Sequence, residues 1–153
     1  MTGTRKPWPY LQSEFNEAEG NVSPDSKWIA YGCDDTGRAE IYVQSFPTAG
    51  SKRQVSTAGG TQPRWSSDQK ELFYLSLDGM MMSVDVQTTP TFEAGIPKAL
   101  FNTHSPSIPL IGNDRNQYFV TADKQRFLVN RIAAEQLVTP ITVIFNWTKL
   151  LQK

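Results

Sequence analysis

The chain has 153 residues, of which 39% are apolar, enough for one domain with a real hydrophobic core. Fifteen basic residues balance fifteen acidic ones, so no net field draws the chain to nucleic acid or to an anionic membrane surface. One cysteine, Cys33, and one histidine, His104, exclude an internal disulfide and a Cys/His metal cluster, and no cofactor is implied.

In chain order, the amino terminus lacks the apolar core of a signal peptide, and no run of about 18 apolar residues occurs, so the expected location is the cytoplasm. Residues 6–15, which include Tyr10, Leu11 and Phe15, precede the first repeat and are expected to form a strand that completes a sheet elsewhere. The turn Ser23-Pro24-Asp25-Ser26 follows, with proline where its fixed φ suits a type I turn and an aspartate able to accept a local N–H. Trp28-Ile29-Ala30-Tyr31-Gly32-Cys33 is apolar on both faces, as expected of a strand between two sheets. A hairpin loop over residues 34–38, with Gly37 free for positive φ, leads to a third strand over 40–46 and a short outer strand over 53–56.

The pattern then returns. Asp68 repeats Asp25 after 43 residues, and Trp65-Ser66-Ser67-Asp68-Gln69-Lys70-Glu71-Leu72-Phe73-Tyr74 repeats the turn and second strand. A weaker copy centred on Asp123 lies 55 residues further on, after a Pro-containing loop over 102–116. A period near 43 is that of a four-stranded propeller blade, so the expected class is an all-β propeller segment in a single domain, with blades at about 21–57, 62–101 and 117–147. The run Ile141-Thr142-Val143-Ile144-Phe145-Asn146-Trp147 is strongly β-forming, yet no outer strand follows it.

These repeats resemble the TolB-like propeller repeat. Nearly the whole length is similar to the carboxyl-terminal propeller segment of bacterial serine/threonine protein kinases, on Pro9-Tyr10-Leu11-Gln12, Gly59-Gly60-Thr61-Gln62-Pro63-Arg64-Trp65 and Pro90-Thr91-Phe92-Glu93-Ala94-Gly95 among others. Kinase activity is not implied, because the glycine-rich loop, His-Arg-Asp and Asp-Phe-Gly are all missing. Related propellers can lie outside the cytoplasm. The family's turn usually carries glycine after the aspartate, where this chain has Ser26, Gln69 and Lys124, so slightly remodelled turns are expected.

Three blades cannot close a ring, since propellers use roughly four to eight. Hiding on the order of 400 Å² of apolar area at each open end is worth roughly 10 kcal/mol, comparable to a domain's whole stability. The expected assembly is therefore a homodimeric six-bladed ring, with Tyr10, Leu11 and Phe15 meeting Ile141, Val143 and Phe145 of the third blade. The alternative is a piece of a longer propeller.

The loops between strands place Asp34, Arg38, Gln62, Arg64, His104 and Arg115 as candidate ligand-binding residues, alongside Asp35, Asp78 and Asp114. A non-catalytic module binding a protein or small polar ligand is the leading expectation. A lactone or ester hydrolase is the alternative from another class. It would need His104 as base, converging with Asp34 and Arg38, and no Gly-x-Ser-x-Gly elbow supplies a nucleophile. A third possibility is a structural remnant of a receptor-like kinase that binds nothing alone. Asp34, Asp35 and Asp114 lack calcium-loop spacing, so no metal site is expected. Trp28, Trp65 and Trp147 are expected to pack between sheets, and Cys33 to be an inert buried thiol.

Overall fold

The computed structural model describes residues 6–104 and 116–130. Every regular element among them is an antiparallel strand, and they contain no helix long and apolar enough to cross a membrane. The first sheet is a four-stranded meander, β1 (Glu17–Val22), β2 (Trp28–Cys33), β3 (Glu40–Ser45) and β4 (Arg53–Gln54). The second consists of β5 (Thr61–Trp65), β6 (Glu71–Leu75) and β7 (Met80–Gln87), with β8 (Glu93–Ala94) and β9 (Lys98–Asn102) pairing with different stretches of β7. A third, two-stranded ladder joins β10 (Tyr118–Val120) to β11 (Phe127–Val129). The strand expected over 141–147, with Ile141, Val143, Phe145 and Trp147, lies outside the described residues.

Several features differ from the sequence reading: the outer strand expected over 53–56 covers Arg53–Gln54 alone, and residues 6–15, expected as a strand, form none. The first strand starts at Glu17, ahead of the expected start at 21, and β8 was not foreseen. The segment before β8 inserts Phe92, 5% exposed, beside Trp28 and Trp65, with ring centroids 5.5 and 6.2 Å away. Phe92 thereby seals the core between the first two sheets, which also contains Ala30, Ile41, Val43, Leu72, Tyr74 and Val84.

The repeat turns share one hydrogen-bond plan. Ser23 Oγ donates to Asp25 Oδ1 at 2.7 Å and accepts Trp28 N at 3.0 Å, while Lys27 N donates to Asp25 Oδ1 at 3.1 Å. Ser66 and Asp68 reproduce all three bonds with Glu71 N and Lys70 N, and Thr121 and Asp123 do so with Arg126 N and Gln125 N. The turns are not remodelled by the missing glycines: Ser26, Gln69 and Lys124 sit at φ of 59°, 59° and 61°. The hydroxyl-carboxylate clasp holds left-handed geometry that would otherwise disfavour these side chains.

What two of those side chains do was invisible in the sequence. With its amide nitrogen facing the carboxylate, Gln69 donates to Asp25 Oδ1 of the preceding turn at 2.8 Å. Lys124 Nζ likewise lies 2.9 Å from Asp68 Oδ2 and 3.3 Å from Glu71 Oε2. The second and third copies each fasten themselves to the one before.

Successive sheets are therefore stacked in register, and the alternation of each second strand decides which neighbour it meets. Phe73 and Leu75 join Met81, Tyr118, Val120, Phe127 and Val129 between the second and third sheets. On the other side of the first sheet, Tyr31, Cys33 and Tyr42 pack with Ile29 and with Leu11 from the amino-terminal segment. Cys33 is 1% exposed, with Lys52 Nζ 3.5 Å from its sulfur. Glycine is required where the chain crosses between sheets, because a Cβ on Gly60 would lie 2.8 Å from both Ile41 Cγ1 and Tyr74 Cδ2.

Candidate functional site

The first strands of the first two repeats carry the same irregularity. Glu19 in β1 and Gln62 in β5 are separated by the 43-residue period, break the register of their strands, and take φ of 60° and 55°. That bulge turns each side chain toward the following sheet. Glu19 Oε2 accepts Gln62 N at 2.6 Å, and Gln62 Oε1 accepts Gln117 N at 2.8 Å. Tyr118, fully buried, donates its hydroxyl to Gln62 O at 2.8 Å.

Arg64 stands beside this row, donating Nη1 to Pro63 O at 2.8 Å and Nη2 to Asn116 Oδ1. Burial raises the Glu19 carboxyl above the ordinary range, against the opposing pull of the Gln62 N–H and the Arg64 charge. Burial also pushes the Tyr118 phenol up. Glu19, Gln62, Arg64, Asn116 and Gln117 thus form a polar row along the first strands of three sheets. The row offers a carboxylate, a guanidinium and carboxamides, which is chemistry for binding a polar group.

Of the candidates read from the sequence that fall among the described residues, Gln62 and Arg64 belong to this row. Both oxygens of Asp34 are engaged by Asn16, from N at 2.9 Å and Nδ2 at 2.6 Å, and those bonds hold its carboxyl below the usual range. Arg38 lies 2.6 Å from Glu40 Oε1 and donates Nη2 to Thr57 O at 2.8 Å. It lines a shallow cavity of about 360 Å³ with Thr36, Gly37, Glu40 and Gln54, and neither Asp34 nor His104 takes part. His104 is exposed at φ 50°, its backbone N bonded to Asn102 Oδ1 at 2.7 Å. Asp34, Arg38 and His104 therefore each have partners of their own, and no hydrogen bond links any of the three side chains to another. Arg115 and Asp114 lie outside the described residues.

Several other polar groups serve the fold. Asp35 accepts from Tyr42 Oη at 2.6 Å and pairs with Lys52 at 2.5 Å, and the same ammonium lies 3.8 Å from the Tyr42 ring centre. Glu40, 1% exposed, accepts from Ser56 Oγ and from Gly59 N at 3.0 Å as well as pairing with Arg38. Among the described residues no three His, Cys, Asp or Glu side chains gather as a metal site.

Sequence reasoning missed Glu19, Asn116 and Gln117. The signal was the period itself: counting back 43 residues from Gln62 gives Glu19, and counting forward 55 gives Gln117.

No family model matches the sequence, and no curated protein matches it. Among solved structures, the chain is similar to an oligogalacturonate lyase from Vibrio parahaemolyticus, at 18% identity and a TM-score of 0.45, over 57% of this chain and 24% of that one. The described residues are all-β, in stacked antiparallel sheets, and the part of the lyase that the chain matches is about a quarter of that enzyme's length.

Proposed function

We propose that the chain is a non-catalytic recognition module, half of a six-bladed TolB-like propeller that a second copy completes. It is of the kind appended to bacterial serine/threonine kinases. Its polar row of Glu19, Gln62, Arg64 and Asn116 would line the central channel and hold a small polar ligand or a peptide end. The observation that carries this reading is the repeated link between sheets, Glu19 to Gln62 to Gln117. One bond type, reused at each step, is a plan for a stack with more members than three, and a ring is the closed form of such a stack.

Light scattering at micromolar concentration tests it. The expected mass is twice 17.2 kDa, and a monodisperse monomer overturns the ring. Turnover of p-nitrophenyl acetate that disappears in His104→Ala would overturn the non-catalytic assignment. The expected result is no turnover above background.

A further inference from the structure

The repeat register identifies the two surfaces that would meet in such an assembly. Ala30, Phe73 and Leu128 occupy one position in the three copies and face the following sheet. Ala30 is 0% exposed under the second sheet and Phe73 2% exposed under the third, whereas Leu128 is 71% exposed. Phe119, its cross-strand partner, is 53% exposed at the position where Asn21 and Arg64 face their following sheets. At the opposite end of the stack, Val22 corresponds to Trp65 and Val120, which face the sheet before them, and Val22 is 40% exposed.

The amino-terminal segment marks the same empty place. Phe101 of β9, the outer strand of the second sheet, packs on Phe127 of the third with ring centres 5.3 Å apart. Leu11 packs in the corresponding way on the first sheet beside Ile29, the residue equivalent to Phe127, while Tyr10 Oη donates to Ser45 O and its ring lies 5.4 Å from Phe46. Residues 6–16 thus lie where the outer strand of a preceding sheet would lie, although they are not in a ladder with any described strand.

We infer that the occupant of the Phe119 and Leu128 face is the first sheet of a second copy, with Val22 and Ile29 of that copy against it and its residues 6–16 along the outer edge. Asp123 of one copy then faces Ser26 of the other, as Asp25 faces Gln69 and Asp68 faces Lys124 within the chain. Applied twice about a two-fold axis, this contact closes. The inference rests on the two-copy reading above and adds its mating surface.

Ser26 is the one member of its set too short to reach back, which makes a gain-of-affinity test possible. Ser26→Lys places the Lys124 arrangement at the junction, and with two junctions per dimer the dissociation constant should fall roughly fivefold. The gain should vanish when Asp123→Asn is added. Leu128→Glu, at an exposed position, should convert the dimer to a folded monomer by light scattering and circular dichroism. A dimer that withstands Leu128→Glu and ignores Ser26→Lys overturns this surface while leaving the dimer standing. A monomeric wild type overturns both, and points to residues 131–153 of the same chain, or to other sheets, as the cover.

Discussion

Lys124 reaches back from the third repeat turn to place its ammonium 2.9 Å from the Asp68 carboxylate of the second. The residue spends left-handed backbone geometry to do so, at φ 61°. The two effects separate by substitution. Lys124→Ala keeps the disfavoured geometry and loses the reach, so the urea denaturation midpoint should fall slightly, as for an exposed ion pair. Lys124→Gly loses the reach but relaxes the backbone, and should be more stable than the alanine variant by about 1 kcal/mol. Equal stabilities for the two would mean that the left-handed residue carries no strain.

The turn carboxylates make the fold acid-sensitive. Ser23 Oγ lowers the Asp25 pKa, Ser66 Oγ and Lys124 lower that of Asp68, and Thr121 Oγ1 lowers that of Asp123. A carboxyl whose folded pKa lies below its unfolded one stabilises the fold above the unfolded value, about 3.9 for aspartate, and that contribution is lost as pH falls through the folded value. The urea midpoint should therefore fall as the pH drops below about 4. Asp68→Asn should flatten that decline, and an unchanged acid limb would assign the loss to other groups.

Glu19 behaves in the opposite sense. Its pKa is raised by burial, so its ionised form disfavours the fold, and the associated stability declines as pH rises through the folded value. Gln62, one period later, does the same bridging with a carboxamide. Glu19→Gln should accordingly raise the denaturation midpoint at pH 7, with the gain shrinking toward pH 4. A loss at pH 7 would show that attraction to Arg64 outweighs the burial penalty.

Gly60 has no room for a side chain. Gly60→Ala would press a methyl group against Ile41 and Tyr74, and should cost about 1–3 kcal/mol, as overpacking of a filled core does. Calorimetry on the variant checks it, and an unchanged melting temperature would mean that the crossing can shift.

Ser56 ties the buried Glu40 to the backbone, donating to the carboxylate and accepting Ile41 N at 2.7 Å. Ser56→Ala removes both bonds inside the core, and a loss of about 1–3 kcal/mol is expected in urea denaturation. Ser56→Thr, which keeps the hydroxyl, should recover part of it.

Strand positions were legible because apolar runs such as 28–33 and 71–75 are bounded by turns whose chemistry is explicit in Ser-Pro-Asp and Ser-Ser-Asp. β8 and the Phe92 plug were not, since Pro90-Thr91-Phe92-Glu93 has neither alternation nor length. The early start of β1 was hidden for a similar reason: Glu17-Ala18-Glu19-Gly20 reads as polar linker until Glu19 is seen bridging to Gln62. The candidate site was half legible. Gln62 and Arg64 follow from a polar crossing between sheets, but Glu19 and Gln117 differ from their counterparts in charge or in local sequence, so similarity of type did not reveal that they share a task. For Asp34 and Arg38 the sequence could not show the bonds to Asn16 and Thr57, because loop polarity does not distinguish a ligand contact from an internal one.

The backward grip of Gln69 and Lys124 gives the molecule a direction. Each turn side chain brings its own hold on the predecessor, while the bridges from Glu19 to Gln62 and from Gln62 to Gln117 run the other way, so neighbours are tied from both sides. The residue after a turn aspartate thus sets what that turn holds: a carboxamide in one copy, an ammonium in the next.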